Sequence, residues 1–460
     1  MAERALACWG VDLDEKGVLA IGGVSTEDLA DQFGTPLHVV NCDRLQTQAS
    51  EFLRAFKQRY PGHVEAFFAA KCNSVCGVLQ ALKYVGFGAE VFTPFELRLA
   101  QLAQMAGQEI IVNGAGKTRD FLAACVAADV KLVVADSLQE ITLLHDIART
   151  SSRCVDVLLR VNLGFVPRDV NPGAATAGKK SVFGMEVNEL SKAAEFCRNN
   201  QFVRFCGLHM HIGSNIRRAE DYRRACTRLC EVACRLYDTT GVSSRYLDVG
   251  GGFGTPMVRE YSALEFILYH GLGRLPACAA PEDTSTIEDF AQAVSVPIVN
   301  AYRARNWPLP TILVEPGRCL MSPNQLLLLR VLARKKKPAH RDYVVTNGGQ
   351  ITVNFPTFHE YHAILACKNP FGSASTPMNV VGAGCYAADF VCRNVRMPEV
   401  AEGDLLAVMD SGAYFLSFEG NFGFPRAGVV AVIDGKPVVL RSLESYTDML
   451  ARERPLPQIS

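Results

Sequence analysis

The sequence predicts an α/β protein, a (β/α)8 barrel of the TIM type followed by an all-β domain. A short apolar run followed by a longer helical pattern recurs eight times over about 250 residues, the size of such a barrel. After about residue 320 the chain changes to β-rich runs joined by turns such as "IDGK" and "AEGD". We therefore expect the barrel in 37–315 and the β domain in 316–460, joined by the N-terminal segment 1–36.

The eight candidate strands are short, mostly apolar runs, as expected of parallel strands covered on both faces. In chain order they are 65–71, 88–92, 110–113, 131–135, 155–161, 206–211, 245–249 and 311–315. Stretches between them, such as "TPFELRLAQLAQMAG" and "DSLQEITLLHDIART", repeat apolar residues at helical spacing. The last crossover, 250–310, is long and is expected to carry insertions.

Composition excludes several functional classes. Lys+Arg and Asp+Glu both number 47, so the net charge of +0 gives no field that would attract nucleic acid or an anionic membrane. The 16 cysteines are scattered, many within apolar segments, which favours buried thiols in a reducing cytosol over a disulfide framework. The N-terminus lacks a signal-peptide pattern, and no apolar run approaches the ~18 residues of a membrane span. We expect a cytoplasmic protein.

Chemically distinctive residues follow several of the predicted strands. In a barrel of this type the active site lies at the carboxyl ends of the strands, so these residues are predicted to share one rim. They are Lys71 after the first strand, His209 and His211 on one face of the sixth, Asp248 and the turn "GGGFG" at the seventh, and Glu315 to Arg318 at the eighth.

Each of these groups also has a structural alternative. Lys71 fits a lysine that extends from a strand end into solvent. The glycines fit a tight loop, Glu315 fits an ion-pair partner of Arg318, and the His-X-His spacing fits a metal pair. A third metal ligand with suitable spacing does not follow in the sequence, so we expect no metal.

Taken together, the rim residues predict a pyridoxal phosphate site. The Lys71 amine can condense with the cofactor aldehyde. Backbone amides of the turn 250–252, with Ser214 and Arg318, can hold the phosphate. Glu315 can pair with the ring nitrogen and so tune the electronics of the cofactor.

The chain resembles the fold type III pyridoxal-phosphate decarboxylases, the family of diaminopimelate and ornithine decarboxylases, whose barrel is alanine racemase-like. The resemblance rests on motifs that occur in the family's order over nearly the whole chain. They are "FGTPLHVVN" (33–41), "FFAAKCNS" at Lys71, "AEVFTPFEL" (89–97), "VNGAGKT" (112–118), "VADSLQE" (134–140), "GLHMHIGS" (207–214), "LDVGGGFG" (247–254), "VEPGR" (314–318), "GAGCYAAD" (382–389) and "DSGAYFLSFEGNFGFPR" (410–426).

The resemblance implies a role for each matching residue. Lys71 would bind the cofactor covalently, His211 would stack on its ring, and Glu315 would face the ring nitrogen. The residues implied around the phosphate are Ser214, Gly250, Gly251, Gly252, Gly317, Arg318 and Tyr414. The family's fold implies a barrel followed by a β domain, in agreement with the strand pattern.

The resemblance also implies a homodimer with shared active sites. In the family these sites lie at a head-to-tail interface, so Cys385 and Asp389 would come from the second subunit. Cys385 would return a proton to the α-carbon after carbon dioxide leaves, with Lys71 or water as alternatives.

The chain departs from the family's pattern at the residues for the substrate's tail. Diaminopimelate decarboxylases usually read Cys-Glu-Ser where this chain has Cys-Tyr-Ala at 385–387, and Arg-Pro-x-x-Tyr where it has Phe-Pro-Thr-Phe-His at 355–359. Losing both charged contacts predicts a less charged, more aromatic tail pocket. The predicted substrate contacts are Arg318, Phe355, Phe358, His359, Tyr386 and Asp389.

These departures predict a decarboxylase of specialised biosynthesis that acts on an α-amino acid, or a carrier-bound conjugate, other than diaminopimelate. "FFAAKCNSVCGVL", "GLHMHIG" and "ESYTDML" also resemble a bacterial branch that decarboxylates D-lysine and D-ornithine. Two further alternatives are an amino-acid racemase, which usually places arginine where this chain has Glu315, and a non-catalytic relative, which tends to lose Lys71 or the phosphate residues.

Overall fold

The computed structural model describes residues 2–168, 170, 176–277, 279–338, 340–373 and 377–456. The chain divides into two compact units. The β unit consists of Met1–Arg44, Tyr261–Ala277 and Pro323–Ser460, and the barrel unit consists of Leu45–Glu260 and Cys278–Ser322. The predicted division into a barrel domain, 37–315, and a β domain, 316–460, joined by the segment 1–36, stays a prediction.

The N-terminal part of the β unit contains two short helices, a three-stranded antiparallel sheet and one longer strand. Ser25 caps the second helix, since its side chain accepts a hydrogen bond from the backbone N–H of Glu27. The elements are α1 (Ala2–Trp9), β1 (Val11–Leu13), β2 (Leu19–Ile21), β3 (Val24–Ser25), α2 (Thr26–Phe33) and β4 (Leu37–Asn41).

Eight parallel strands form a closed barrel in which sequence neighbours are also spatial neighbours. They are β5 (Val64–Ala69), β6 (Gly88–Val91), β7 (Ile110–Val112), β8 (Leu132–Ala135), β9 (Val155–Arg160), β10 (Val203–His209), β11 (Tyr246–Asp248) and β12 (Thr311–Val314). The barrel closes where Ile312 of β12 pairs with Val64 of β5. Each observed strand overlaps one predicted strand, and the predicted fold class is confirmed.

The connecting helices begin where the sequence supplies caps. The side chains of Thr93, Thr118, Ser137 and Thr286 each accept a hydrogen bond from the backbone N–H three residues later. The helices are α3 (Cys42–Arg59), α4 (Cys76–Lys83), α5 (Pro94–Leu102), α6 (Arg119–Ala127), α7 (Leu138–Thr150), α8 (Val187–Asn199), α9 (Ala219–Thr240), α10 (Ala263–Leu272), α11 (Ile287–Ala304) and α12 (Arg318–Met321).

Apolar side chains fill the centre of the barrel and make it a packed core. Its central cluster combines Phe67, Ile111, Leu132, Val134, Leu158, Cys206 and Leu313, all at most 3% exposed. The described cysteines form no disulfide with one another, and most of them are buried, in agreement with the composition.

The rest of the β unit is helix α10 together with a large sheet, its attached strands and two short helices. Its elements are β13 (Gln325–Lys335), β14 (Asp342–Thr346), α13 (Gln350–His359), β15 (Ile364–Ala366), β16 (Met378–Gly382), β17 (Phe390–Val395), β18 (Leu405–Val408), β19 (Gly428–Ile433), β20 (Lys436–Arg441) and α14 (Tyr446–Leu450). The sheet order is β17-β16-β14-β13-β4-β19-β20, with β18 on β13 and β15 on β18. The N-terminal strand β4 therefore completes a sheet built from the C-terminal part of the chain.

Within the described ranges, the helices are all too short or too polar to cross a lipid bilayer.

Candidate active site at the carboxyl ends of the barrel strands

Lys71 lies in a short 3-10 turn, Ala70–Cys72, directly after β5. Its ammonium contacts the carboxylate of Glu90, which lies one residue before the end of the neighbouring strand β6 and is 1% exposed. Burial raises the pKa of Glu90, and the charge of Lys71 opposes this shift. The lysine thus faces a buried carboxylate, which disfavours the alternative of a lysine that extends into solvent.

Glu315 lies at the end of β12 in a buried polar cluster. Asn113 Nδ2 donates to Oε1 of Glu315 at 3.0 Å, and His209 Nε2 lies 3.5 Å from the same oxygen. Burial opposes ionisation, but His209 and Lys71 outweigh it and lower the pKa of Glu315 to about 2. Glu315 is therefore an ionised carboxylate at the centre of the rim, and its observed partners differ from the Arg318 ion pair that we considered.

Asp248 adds a second buried carboxyl beside Glu315. Burial, and then the negative charge of Glu315, raise the pKa of Asp248 well above its usual range. Its Oδ1 accepts the backbone N–H of Gly250 at 2.9 Å. His209, Asp248 and Glu315 offer ligand atoms within 4.8 Å of one another, a geometry that could hold a metal and that sequence spacing did not reveal. The absence of a metal stays a prediction.

The glycine turn after β11 leaves no room for side chains. A Cβ at Gly251 would lie 2.0 Å from the carbonyl oxygen of Glu315, and one at Gly252 would lie 2.0 Å from that of Gly213. Gly250 and Gly252 also have φ of +67° and +95°, a region that favours glycine. These residues make a turn with a bare backbone surface.

Hydrogen bonds fix this turn to the loop that follows β10. Ile216 N–H donates to the carbonyl of Gly252 at 2.8 Å, and Gly254 N–H donates to the carbonyl of Ile216 at 2.9 Å. The hydroxyl of buried Tyr222 donates to the carbonyl of Gly251 at 2.6 Å. The loop after β10 and helix α9, which carries Tyr222, therefore hold the turn in place.

Ser214 and Arg318 meet beside this turn. Arg318 Nε donates to the Ser214 hydroxyl at 3.3 Å, and Arg318 is only 5% exposed. Gly317, which precedes it, packs so closely that a Cβ there would lie 2.9 Å from Cβ of Cys72. A serine hydroxyl, a guanidinium and bare backbone are donors of the kind that bind phosphate.

His211 is held by the glycine turn. Its Nδ1 accepts the backbone N–H of Gly251 at 3.3 Å. Burial and the charge of Lys71 lower the pKa of His211 to about 3, so the ring is neutral at physiological pH. A neutral imidazole with Nδ1 occupied can offer its flat face to a ring.

In the β unit, Asp389 organises the loop that carries Cys385. Asp389 is 5% exposed; Oδ1 accepts the N–H of Gln350 and Oδ2 accepts the N–H of Gly384, both at 2.7 Å. Cys385 is exposed. The carboxylate thus fixes the backbone next to the thiol.

The other predicted residues of the β unit lie at separate positions. Tyr386 packs edge-on against Phe422 at 5.1 Å, in a cleft that Asp389 also lines. His359 is exposed at the end of α13, whereas the side chain of Phe355 lies outside the described part of the structure. Tyr414 has φ of +69°, a strained conformation for a bulky residue that often marks a functional position.

Comparison with known proteins identifies the family of this arrangement. A sequence profile described as pyridoxal-dependent decarboxylase, pyridoxal binding domain, matches residues 46–322, more than half of the chain. The chain belongs to this family. It is accordingly a carboxy-lyase that uses pyridoxal 5'-phosphate.

The most similar relatives include two diaminopimelate decarboxylases that match nearly end to end. The protein of Methanothermobacter thermautotrophicus is 29% identical over 442 residues, 96% of each chain. The protein of Bacillus subtilis is 28% identical over 446 residues, again 96% of each chain.

Solved structures share the fold. Diaminopimelate decarboxylase from M. jannaschii in co-complex with L-lysine has a TM-score of 0.85 at 25% identity, covering 98% of this chain and 99% of that chain. Lysine/ornithine decarboxylase from Vibrio vulnificus, complexed with putrescine, has a TM-score of 0.69 at 21% identity, covering 89% of this chain and 97% of that chain.

The barrel residues of this family member fit the cofactor. The turn 250–252 is a cradle that any Cβ would fill, and ionised Glu315 has the charge that a protonated pyridine nitrogen requires. Lys71 supplies a primary amine on the same rim, as predicted from the strand ends.

Two further residues of this decarboxylase were not predicted from its sequence. Glu90, the partner of Lys71, stands inside the run "GAEVF", and Asn113, the donor to Glu315, stands inside "VNGAGKT". The signal that could have found them is a polar residue at the carboxyl end of an otherwise apolar barrel strand.

Proposed function

We propose that this decarboxylase acts on an α-amino acid, free or conjugated, whose side chain ends differently from that of diaminopimelate, in specialised biosynthesis. The observation that carries the proposal is the aromatic replacement at 355–359 and at Tyr386, where relatives of the diaminopimelate type are expected to hold charged contacts. A site without paired charges cannot strongly select a charged tail. Arg318, Phe355, His359, Tyr386 and Asp389 are the proposed substrate residues.

The cofactor would be held by residues of the rim and by Tyr414. In this proposal Lys71 binds its aldehyde, His211 lies against its ring, and Glu315 pairs with the ring nitrogen. The phosphate would be bound by Ser214, Gly250, Gly251, Gly252, Gly317, Arg318 and Tyr414. Support comes from the bare turn and the Ser214–Arg318 hydrogen bond in the barrel unit.

Pyridoxal 5'-phosphate held by these residues would supply an electron sink for the pair that remains when carbon dioxide leaves the α-carbon. Glu315 favours this reaction because an ionised carboxylate keeps a pyridine nitrogen protonated. The ionised state of Glu315 also distinguishes this site from a racemase site, where arginine would be expected.

Cys385 is the proposed proton donor to the α-carbon, acting from the second subunit of a homodimer. Its exposed thiol and the backbone fixed by Asp389 support this role. Asp389 uses both carboxylate oxygens for backbone hydrogen bonds within the β unit, so we assign it to positioning Cys385 and Tyr386 at the substrate.

The direct test is a screen of L-, D- and conjugated amino acids for carbon dioxide release. The proposal predicts a substrate other than diaminopimelate, with an amine as the second product. Preferred release from D-lysine or D-ornithine would identify the alternative branch. Diaminopimelate as the best substrate would overturn the proposed tail pocket, and inversion without carbon dioxide would indicate a racemase.

A further inference from the structure

Helix α10 presents an aromatic face to the β unit, of which it is part. Tyr269 on this face is 4% exposed, and its hydroxyl accepts the N–H of Arg393 at 3.0 Å. Phe266 and His270 share the face, because residues three and four apart lie on the same side of a helix. The centroids of these two rings lie 4.4 Å apart. The aromatic face therefore fixes α10 in place.

Phe266 and His270 pack against the last two residues of α13. The Phe266 ring lies 5.2 Å from that of Phe358 and 6.0 Å from that of His359, and the His270 ring lies 4.6 Å from Phe358. His270 Nε2 donates to the carbonyl of Phe358 at 2.9 Å, and Tyr261 N–H donates to that of His359 at 2.8 Å. The segment that carries α10 thus contacts the rings of Phe358 and His359 and donates hydrogen bonds to the backbone carbonyls of both residues.

The cluster keeps part of its ring surface accessible. Phe358 is 43% exposed although the rings of Phe266, His270 and His359 lie within 5.2 Å of it. An aromatic ring that is fixed by its neighbours and still exposed is suited to bind an apolar group. Aromatic faces carry partial negative charge, so they disfavour an anionic group.

We propose that α10 sets the specificity for the substrate's side-chain tail. This inference rests on the proposed function, since that proposal assigns the segment 355–359 to the tail. Phe266 forms part of a rigid aromatic surface with Phe358 that accepts an apolar or aromatic tail and rejects a carboxylate. His270 is a positioning residue that holds Phe358.

The test measures binding of amines to the holoenzyme through the absorbance of the bound cofactor, which does not depend on turnover. The probes are hexylamine, with an apolar tail, and 6-aminohexanoate, which has a carboxylate at the same distance. We expect the wild type to prefer hexylamine. Phe266→Ala should weaken hexylamine binding by about 5- to 10-fold and 6-aminohexanoate binding by less than about twofold, because one ring contact is lost.

The control is Leu264→Ala, on the opposite side of α10, where Leu264 is 66% exposed. It should leave both affinities unchanged. His270→Gln keeps a donor for the Phe358 carbonyl but removes the ring. Like Phe266→Ala, it should lower the preference for hexylamine over 6-aminohexanoate. If Phe266→Ala does not fold, as judged by thermal unfolding, Phe266→Leu takes its place.

An unchanged preference in folded Phe266 and His270 variants would overturn the role of α10. If those variants still release carbon dioxide and carry the cofactor on Lys71, the proposed function survives this result. A wild type that carries no cofactor on Lys71 and releases no carbon dioxide would instead overturn both proposals.

Discussion

Glu315 and Asp248 are neighbouring buried carboxyls whose pKa values shift in opposite directions. His209 and Lys71 hold the pKa of Glu315 at about 2, against the effect of burial, whereas burial raises the pKa of Asp248. An ionised group and a neutral one can share a hydrogen bond, while two charges at this depth would repel each other. The pair therefore supplies one negative charge at the proposed position of the ring nitrogen.

Because of this difference, replacing each carboxyl with an amide should lower turnover by very different amounts. Glu315→Gln removes the charge and should lower turnover by about 10²–10³-fold, as for loss of a preorganised electrostatic group. Asp248→Asn keeps a neutral group that can accept the N–H of Gly250, so turnover should fall less than about tenfold. Rates of carbon dioxide release measure both. Equal losses in the two variants would contradict the assigned protonation states.

The same pair predicts how stability depends on pH. The folded pKa of Glu315, about 2, lies below its unfolded value of about 4.3, so its ionised form stabilises the fold above pH ~4.3. That contribution is lost as the pH falls toward about 2. Urea unfolding of wild type and Glu315→Gln should therefore give a larger free-energy difference near pH ~6 than near pH ~3. A difference that grows at low pH would show that Glu315 is protonated in the folded chain.

Cys385 and Cys154 are the two cysteines that the structure shows as exposed among its described residues. Cys385→Ala should slow turnover by about 10²–10⁴-fold, the usual contribution of a positioned acid. Cofactor attachment to Lys71 should remain normal, as seen by absorbance. Cys154→Ala, the matched control, should behave as wild type. Unchanged rates and products in Cys385→Ala would refute its role as proton donor.

At the scale of elements, the bare turn after β11 depends on its close approach to β12. The carbonyl oxygen of Glu315 lies 2.0 Å from the position that a Cβ of Gly251 would take, too close for any side chain. Gly251→Ala should shift the turn, weaken cofactor retention by at least about tenfold and lower stability by about 1–3 kcal/mol, as overpacking does. Dialysis followed by absorbance measures retention. Gly271→Ala in α10, where nothing lies within 4 Å, is the control and should retain cofactor normally. Equal retention in both variants would show that the turn does not hold the phosphate.

The elements that sequence patterns predicted best are those of the barrel. Its strands are nearly continuous apolar runs, three of which end in or are followed within two residues by Lys71, His209 or Glu315, and both features are visible in one sequence. Asn113 and Glu90 were missed because their importance comes from neighbours on other strands. The N-cap residues Thr93 and Ser137 show why helix starts are readable, since capping is local.

The 250–310 crossover was harder to predict. Sequence indicated an insertion there, but not that α10 would pack on Phe358 and His359, roughly ninety residues further along the chain. The exposed residues Leu264 and Ile267 blur the helical apolar pattern, so its buried face could not be identified by periodicity. Packing of this kind depends on three-dimensional contacts and not on local preference.

At the scale of the whole molecule, the proposed homodimer shares its active sites. In each proposed site, Lys71 comes from one subunit and Cys385 from the other, so Lys71→Ala and Cys385→Ala would damage contributions from different subunits. Mixed and allowed to exchange subunits, they should recover up to about a quarter of wild-type activity, because half of the dimers are mixed and one of their two sites is intact. Carbon dioxide release after co-refolding measures the recovery. No recovery, with exchange verified by mass, would place both residues in one subunit's site.

In the proposed mechanism, a single amine at the barrel rim, that of Lys71, binds the cofactor aldehyde. The most direct measurement is borohydride reduction of the holoenzyme, followed by proteolysis and mass spectrometry of the peptides. We predict a single cofactor adduct on Lys71, absent from Lys71→Ala. An adduct on another lysine, or none after reconstitution with pyridoxal 5'-phosphate, would contradict it.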